Sequence, residues 1–400
     1  MSTPAAKGPL MRSTDPESQR VTTIELFFDL VYVFAITQLS HRLLEHLTPL
    51  GAVQTAILLL AIWQGWVNTT WVATWFSPDK DPVRALLITV MLGSLIVSAT
   101  IPQAFEGRGL AFALVYAVMA VLRNAFVIAN AGEEPTLRRN FQRIFWWAGT
   151  AGALWVAGAL MEGNLRLALW LAAVVVEYAG PALGFALPRL GRSTTEDWAT
   201  IAGGHLAERC HLFIIVALGE SILVTGMTVA ELSFDLVTTS ALVVVFLGSV
   251  GLWWIYFDKA ADDAGKEIEE SDDPGRLGRS AYTYFHVPMV AGIIVTAVGD
   301  ELVLAHPSGT ADAASVATIL GGPALFLLGH ALFKLSTFER ISVSRLVAIA
   351  LIGGLALASG ALSPLALSIG STLTIGGVAV WDRNAHRETP EGISITAPAD

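Results

Sequence analysis

Two carboxylates four residues apart, Glu25 and Asp29, interrupt the apolar run ELFFDLVYVFA, and Tyr32 extends their line by one turn. On a helix this spacing puts all three on one face. Two acids that close do not both ionise in a low dielectric without a proton, a metal ion or a basic partner. Glu208, Arg209 and His211 interrupt a second apolar run, and Glu220 follows Arg209 by eleven residues. Eleven steps of about 100° bring that pair within about 20° of one stripe, a polar line along the helix. Arg209 is the expected counter-ion of Glu25 or Asp29. Glu177 stands in VVVEYAGP, where Gly180 and Pro181 are expected to break or kink the helix. Arg123, His286 and His330 are further ionisable residues inside apolar segments.

Such groups cost several kcal/mol each in lipid, so they face a bundle interior and mark pathways or interhelical pairs. Glu25, Asp29, Glu177, Glu208, Arg209, His211 and Glu220 form the candidate substrate or proton pathway, with Tyr32, Arg123, His286 and His330 in support. The plainer alternative is that they only lock helices together. Glu25, Asp29, Glu208, His211, His286 and His330 offer a weak metal-ligand set, because no HExxH or His-x-His spacing gathers them. No metal and no cofactor is therefore predicted. The single cysteine, Cys210, excludes an internal disulfide and a thiolate zinc cluster. P-loop, dinucleotide and GxSxG motifs are lacking, so the sequence argues against an enzyme more than for one.

The elements that must position these residues are membrane helices. Apolar residues make up 54% of the chain and charged residues 14%, where a soluble domain carries about 25% charged. Apolar windows predict an all-α bundle of twelve spans, at roughly 23–43, 50–75, 84–104, 109–130, 141–161, 165–188, 205–229, 236–257, 281–303, 313–334, 341–361 and 363–381. With the N-terminus inside, nineteen of the 24 lysines and arginines fall on the cytoplasmic side and only Arg42, Arg108 and Arg166 outside. That bias predicts a bacterial inner-membrane protein with both termini cytoplasmic. The net charge of −10 supplies no basic face for nucleic acid. Tryptophans at span ends, in span 2 and at 146–147 and 253–254, are expected in interfacial belts. The small-residue runs at 149–158 and 353–360 are expected to be helix-packing surfaces.

The halves look alike. ELFFDLVYVFAITQLS from Glu25 aligns without a gap on ERCHLFIIVALGESIL from Glu208, and three further span pairs match in order. Six spans per copy predict a parallel 6+6 repeat about the membrane normal. The expected domains are a disordered cytoplasmic tail (1–22), a first repeat (23–190), a second repeat (205–382) with an acidic cytoplasmic loop (258–280), and a cytoplasmic tail (383–400). That loop is expected to be solvated linker.

The runs IELFFDLVYVFAITQLSH at 24–41 and HLAERCHLFIIVALGESIL at 205–223, with EYAGP at 177–181, resemble the bacterial low-temperature-requirement protein A family over about residues 18–385. The resemblance implies a membrane protein tied to growth in the cold. It carries no assigned chemistry and no catalytic residues. Six plus six spans and buried acid–base groups favour a secondary, proton-coupled transporter of a small solute. The alternatives are an intramembrane enzyme acting on a lipid or isoprenoid, and a non-catalytic scaffold or sensor. The bilayer is the expected partner, with a small solute or lipid as ligand.

Overall fold

The computed structural model describes residues 9–12, 20–194, 196–198, 201–258 and 260–387. The rest of the two expected tails and Lys259 of the acidic loop lie outside the described residues. The first half holds α1 (Thr23–Glu45), α2 (Pro49–Trp75), α3 (Asp81–Thr100), α4 (Gly109–Asn130), α5 (Pro135–Ala159) and α6 (Gly163–Ala182). The second holds α7 (Gly203–Ala230), α8 (Leu236–Phe257), α9 (Ala260–Glu270), α10 (Pro274–Leu277), α11 (His286–Ala305), α12 (Ala313–Phe338), α13 (Val343–Leu357) and α14 (Pro364–Arg387). A π-helical turn, Gly278–Tyr284, joins α10 to α11.

Among the described residues ten helices are long and apolar enough to cross a membrane, against twelve expected spans. The segment 141–161 lies in α5, whose first turns carry TLRRNFQR and dilute its apolar content. The segment 341–361 contains the apolar helix α13, which is 15 residues long. Leu92, Val118, Val175, Leu351 and Leu373 are each more than half exposed on the outer surface. An apolar exterior of this kind is solvated by lipid, and helices satisfy their own backbone groups there. The chain is a multi-pass membrane protein in contact with lipid.

The neighbour pattern recurs. In the first half α1 packs on α2 and α3, and the series continues α3–α4, α4–α5 and α5–α6, with α2 against α4 and α6. In the second, α7 packs on α8 and α11, and the series continues α11–α12, α12–α13 and α13–α14, with α8 against α12 and α14. The halves meet where α1 and α2 touch α7 and α11.

Three expectations need correction. The acidic segment 258–280 is not an open loop: α9 buries Ala261, Ala264 and Ile268, one stripe of a helix, against α7 and α12 and leaves its acids outside. Within the tail, residues 9–12 are bound. Arg12 N–H donates to the Trp75 carbonyl at 2.7 Å and Ser77 N–H to the Leu10 carbonyl at 3.0 Å. The tryptophans of α2 are not belt residues: Trp63, Trp66, Trp71 and Trp75 are all buried, the first three through indole hydrogen bonds described below and Trp75 through its ring, which lies 5.7 Å from that of Phe141 on α5.

The small-residue runs also divide. Gly152 and Gly158 do seat Ala117 and Trp170, whereas Gly353, Gly354 and Gly360 face open space. The closest helix contact is α11 on α12, through glycines outside both runs.

The start of α12 is fixed by a side-chain cap. Asp312 Oδ1 accepts the Ser315 N–H of α12 at 2.8 Å, which holds its carboxyl below the usual aspartate range. A depressed folded-state value contributes stability above the unfolded pKa of about 4 and loses it as pH falls through the folded value. Asp312→Ala is therefore expected to lower stability by about 0.5–1 kcal/mol at neutral pH, the exposure of the site holding the effect near the low end. Thermal unfolding in detergent should show that difference vanish in acid. A difference that persisted there would reject the cap.

Candidate functional site

A buried charge cluster joins the first turns of α1 and α7. Arg209 Nη2 donates to Asp29 Oδ1 at 2.6 Å, and its Nη1 lies 3.2 Å from Glu25 Oε1. The guanidinium also lies 5.6 Å from the Phe28 ring centroid and 5.7 Å from that of Trp66. Trp66 Nε1 donates to Asp29 Oδ1 at 2.7 Å. Glu25 serves two purposes. Its Oε2 accepts Thr22 N–H and Thr22 Oγ1–H, both at 2.8 Å, closing the capping box that starts α1. Its Oε1 meets His205 Nε2 at 2.8 Å and Arg12 Nη2 at 3.4 Å.

His205 Nε2 faces a carboxylate, so it carries the proton. Its 3.2 Å approach to Arg12 Nη2 is then a contact between two donors. With His205 neutral, among the described residues the carboxylates of Glu25 and Asp29 balance the guanidiniums of Arg12 and Arg209. All five residues are buried. This neutrality is what makes the cluster tolerable, since an uncompensated ion there costs several kcal/mol.

Arg209 thus pairs with both acids of α1, as the sequence suggested, but the rest of the expected cluster disperses. Glu208 is exposed and accepts the Val21 N–H at 3.2 Å. His211 is half-buried among Tyr256, Phe257 and Tyr282. Both point away because residues 208 and 211 flank the stripe that carries Arg209. His205 and Arg12 were missed. His205 lies four residues before Arg209, one turn back on the same stripe, and the Thr22-x-x-Glu25 spacing announces the helix start that brings it opposite. Arg12 had no local signal, because its partners come from the distant α1 and α7.

A second polar group fills the first half. Tyr116 Oη donates to Glu177 Oε1 at 3.0 Å, and Trp155 Nε1 reaches the same oxygen at 3.3 Å. Arg123 Nη1 donates to the Gly65 carbonyl and to Thr69 Oγ1, both at 3.3 Å. Gly65 also stands against the Tyr116 ring and the Tyr32 hydroxyl, at 3.7 Å each for an added Cβ. Tyr32 Oη lies 3.0 Å from Ser94 Oγ. So Tyr32, Arg123 and Tyr116 converge on one glycine of α2, and Tyr116 ties Glu177 to them. The α6 helix ends at Ala182, just past Pro181, and Glu177 bonds to side chains rather than to amides freed there.

Further along, Glu220 of α7 faces Thr37 and His41 of α1, and Glu301 of α11 shares His41. The stripe of α7 therefore faces α1 at both levels. Among the described residues neither Glu177 nor Glu220 has a cation within ion-pair distance. Asp300, also missed, is buried on α11 with Oδ2 unpartnered.

His286 and His330 occupy a third place, an aromatic box of Tyr256, Tyr282 and Phe333. His286 Nδ1 lies 2.9 Å from the Ala281 carbonyl, which can only accept, so Nε2 accepts a hydrogen bond from the Tyr256 hydroxyl at 2.7 Å. His330 Nδ1 accepts from Arg345 Nε at 3.2 Å, and Arg345 in turn pairs with Asp382. The π-helical turn connects this box to the first half. Its Thr283 carbonyl accepts Trp63 Nε1 at 2.7 Å, and Thr283 Oγ1 accepts Trp71 Nε1 at 3.0 Å. The six weak metal-ligand candidates are thus divided between the α1–α7 cluster (Glu25, Asp29), the exposed Glu208 and the surroundings of the aromatic box (His211, His286, His330), and no group of three or more potential ligands is gathered among the described residues.

The sequence profile described as bacterial low temperature requirement A protein (LtrA) matches residues 20–380. An uncharacterized protein of Rhizobium meliloti is 37% identical over 344 residues, covering 86% of this chain and 84% of its own length. No solved structure matches the chain.

Proposed function

We propose, for a chain that belongs to the bacterial low temperature requirement A (LtrA) family, that it is a secondary, proton-coupled transporter of a small solute in the cytoplasmic membrane. In this reading α5 and α13 cross the membrane as well, giving twelve spans, two parallel six-helix copies, and both termini in the cytoplasm. The matching neighbour patterns of the two halves and the crowding of lysine and arginine on one side support that arrangement. The three exceptions at the other end are not free charges. Arg42, Arg108 and Arg166 donate to the carbonyls of Pro102, Ala99 and Glu106.

The observation that carries the proposal is the contrast between the paired charges of α1 and α7 and the unpaired carboxylates of α6 and α7. In this reading the Glu25–Arg209–Asp29 cluster, which joins α1 to α7, is the cytoplasmic gate between the two copies. Elsewhere in the bundle Glu220 of α7 and Glu177 of α6 have, among the described residues, no cation within ion-pair distance, which suits them to take up and release a proton. Arg12 and His205 secure the closed gate through Glu25. Opening would exchange these bonds for water or solute, as rocking of one repeat against the other requires.

Proteoliposomes holding a pH-sensitive dye, challenged with panels of amino acids, sugars and inorganic anions, test this. One panel should drive a proton flux that Glu177→Gln or Glu220→Gln lowers roughly tenfold or more. Wild-type protein that moves no proton with any panel, or flux untouched by both substitutions, would overturn it. Altered membrane lipids in a deletion strain, without flux, would instead point to the intramembrane enzyme.

A further inference from the structure

A cavity of about 700 Å³ opens at the N-terminal face of the second half, between α9, the end of α12, the start of α13 and the end of α14. Its place on that face follows from α9, whose Ile268 lies against Gly203 at the start of α7. The volume is that of a small-molecule site. None of the residues of the α1–α7 cluster line it.

Its walls carry opposite charges that do not meet. Asp263 and Glu267, one turn apart on α9, line it together with Lys334 of α12 and Arg340 just past the end of α12; Asp258, Arg276, Glu339 and Asp382 are its other charged residues. Lys334 stands within electrostatic reach of Asp263, Asp382 and Arg340. Yet among the described residues none of Asp263, Glu267, Lys334 and Arg340 has an opposite charge within 4.0 Å. The start of α13 also faces the space. Its N-cap, Ser342, makes no side-chain cap hydrogen bond, so the first-turn amides remain donors for an anion. Between the walls lies Thr337, buried, with its Oγ1 unpartnered. A buried hydroxyl without a partner is costly and points to an absent one. The rim is apolar: Ile341, Val343 and Trp381 line the cavity and are each about half exposed or more.

We propose that this cavity binds a zwitterion of the phosphate–ammonium type, as in a phosphoethanolamine lipid headgroup. Its phosphate lies toward Lys334, Arg340, Thr337 and the α13 amides. Its ammonium lies toward Asp263 and Glu267. A simple anion would leave the acidic wall unmatched, and a simple cation would leave Lys334 and the amides unmatched. The exposed apolar rim fits a ligand whose tails remain in the bilayer.

The test uses the detergent-purified full chain and isothermal titration with dihexanoyl-phosphatidylethanolamine, dihexanoyl-phosphatidylglycerol and soluble O-phosphoethanolamine. The ethanolamine lipid should bind roughly tenfold or more tightly than the glycerol lipid, a difference of about 1.4 kcal/mol. Asp263→Asn with Glu267→Gln should abolish that preference and leave glycerol-lipid binding in place, since only the ammonium contact is lost. Lys334→Gln should weaken both lipids. Asp263 and Glu267 are exposed, so the ligand-free melting temperature of the acid variant should stay at the wild-type value. Equal affinity for the two lipids, or a preference that survives loss of both acids, would overturn the proposal. O-phosphoethanolamine binding as tightly as the lipid would keep the site and assign it to the free zwitterion.

Discussion

Arg209→Met should cost about 3–5 kcal/mol of stability, because it removes one member of a buried ion cluster and leaves the others charged. Asp29 would keep only the Trp66 N–H on Oδ1, its Oδ2 being already unpartnered. Glu25 would retain Arg12, His205 and the Thr22 cap. The larger penalty therefore falls on Asp29. Asp29→Asn added to Arg209→Met should recover much of the loss, since a neutral amide can still accept from Trp66 and carries no charge to desolvate. The measurement is the melting temperature of the monodisperse protein in detergent, for wild type, the single variant and the double. A single variant as stable as wild type would show that the cluster does not hold α1 to α7. Should the single variant fail to accumulate, the double variant still decides: rescue requires that Asp29 be the stranded charge. Flux in the rescued variant would carry a further reading, because a gate without its ion pair should leak.

Gly322→Leu should separate α11 from α12 and cost about 3 kcal/mol or more. A Cβ at residue 322 would stand 2.5 Å from the Thr296 amide nitrogen and 2.8 Å from its Cα. These are backbone atoms, which cannot step aside as the end of a flexible side chain does. The contact is mutual: a Cβ at Gly292 would stand 2.5 Å from the Phe326 nitrogen and 2.8 Å from the Gly322 carbonyl. Gly299 and Gly329 continue the seam one heptad on, against Ile319 and Met289. Lipid offers no hydrophobic drive for helix association, so close backbone packing carries this pair. The neighbouring Gly321 is the internal control, since nothing lies within 4 Å of its Cβ position. Gly321→Ala should be neutral or stabilising by up to about 1 kcal/mol through helix propensity alone. Equal melting temperatures for Gly322→Leu and Gly321→Ala would refute the seam.

Both predictions concern residues whose role was unequally legible. The pairing of Arg209 with Glu25 and Asp29 was readable, because two acids and one base in apolar runs have few other ways to be neutral. The seam was not. The runs GTAGALWVAG and GGLALASG are richer in small residues than VAGIIVTAVG, yet the latter makes the close contact. Small residues permit approach, but which helix approaches is set by the whole bundle. The α2 tryptophans mislead in the same way, since an indole suits the lipid interface as well as an interior donor to Asp29 or Thr283.

The sequence by itself determined the membrane class, the family, the placing of the long apolar helices and the pairing of Arg209, because each follows from local composition and periodicity under one strong rule: polar groups in lipid must be satisfied. Only the tertiary structure decided that Arg12 and His205 join Glu25, that Glu208 and His211 leave the cluster, and that Glu177 is held by Tyr116 and Trp155. It alone showed α9 folded against α7, and with it the cavity between opposite charges. These contacts join residues far apart in the chain, and a helix face states what needs a partner without stating which helix supplies it.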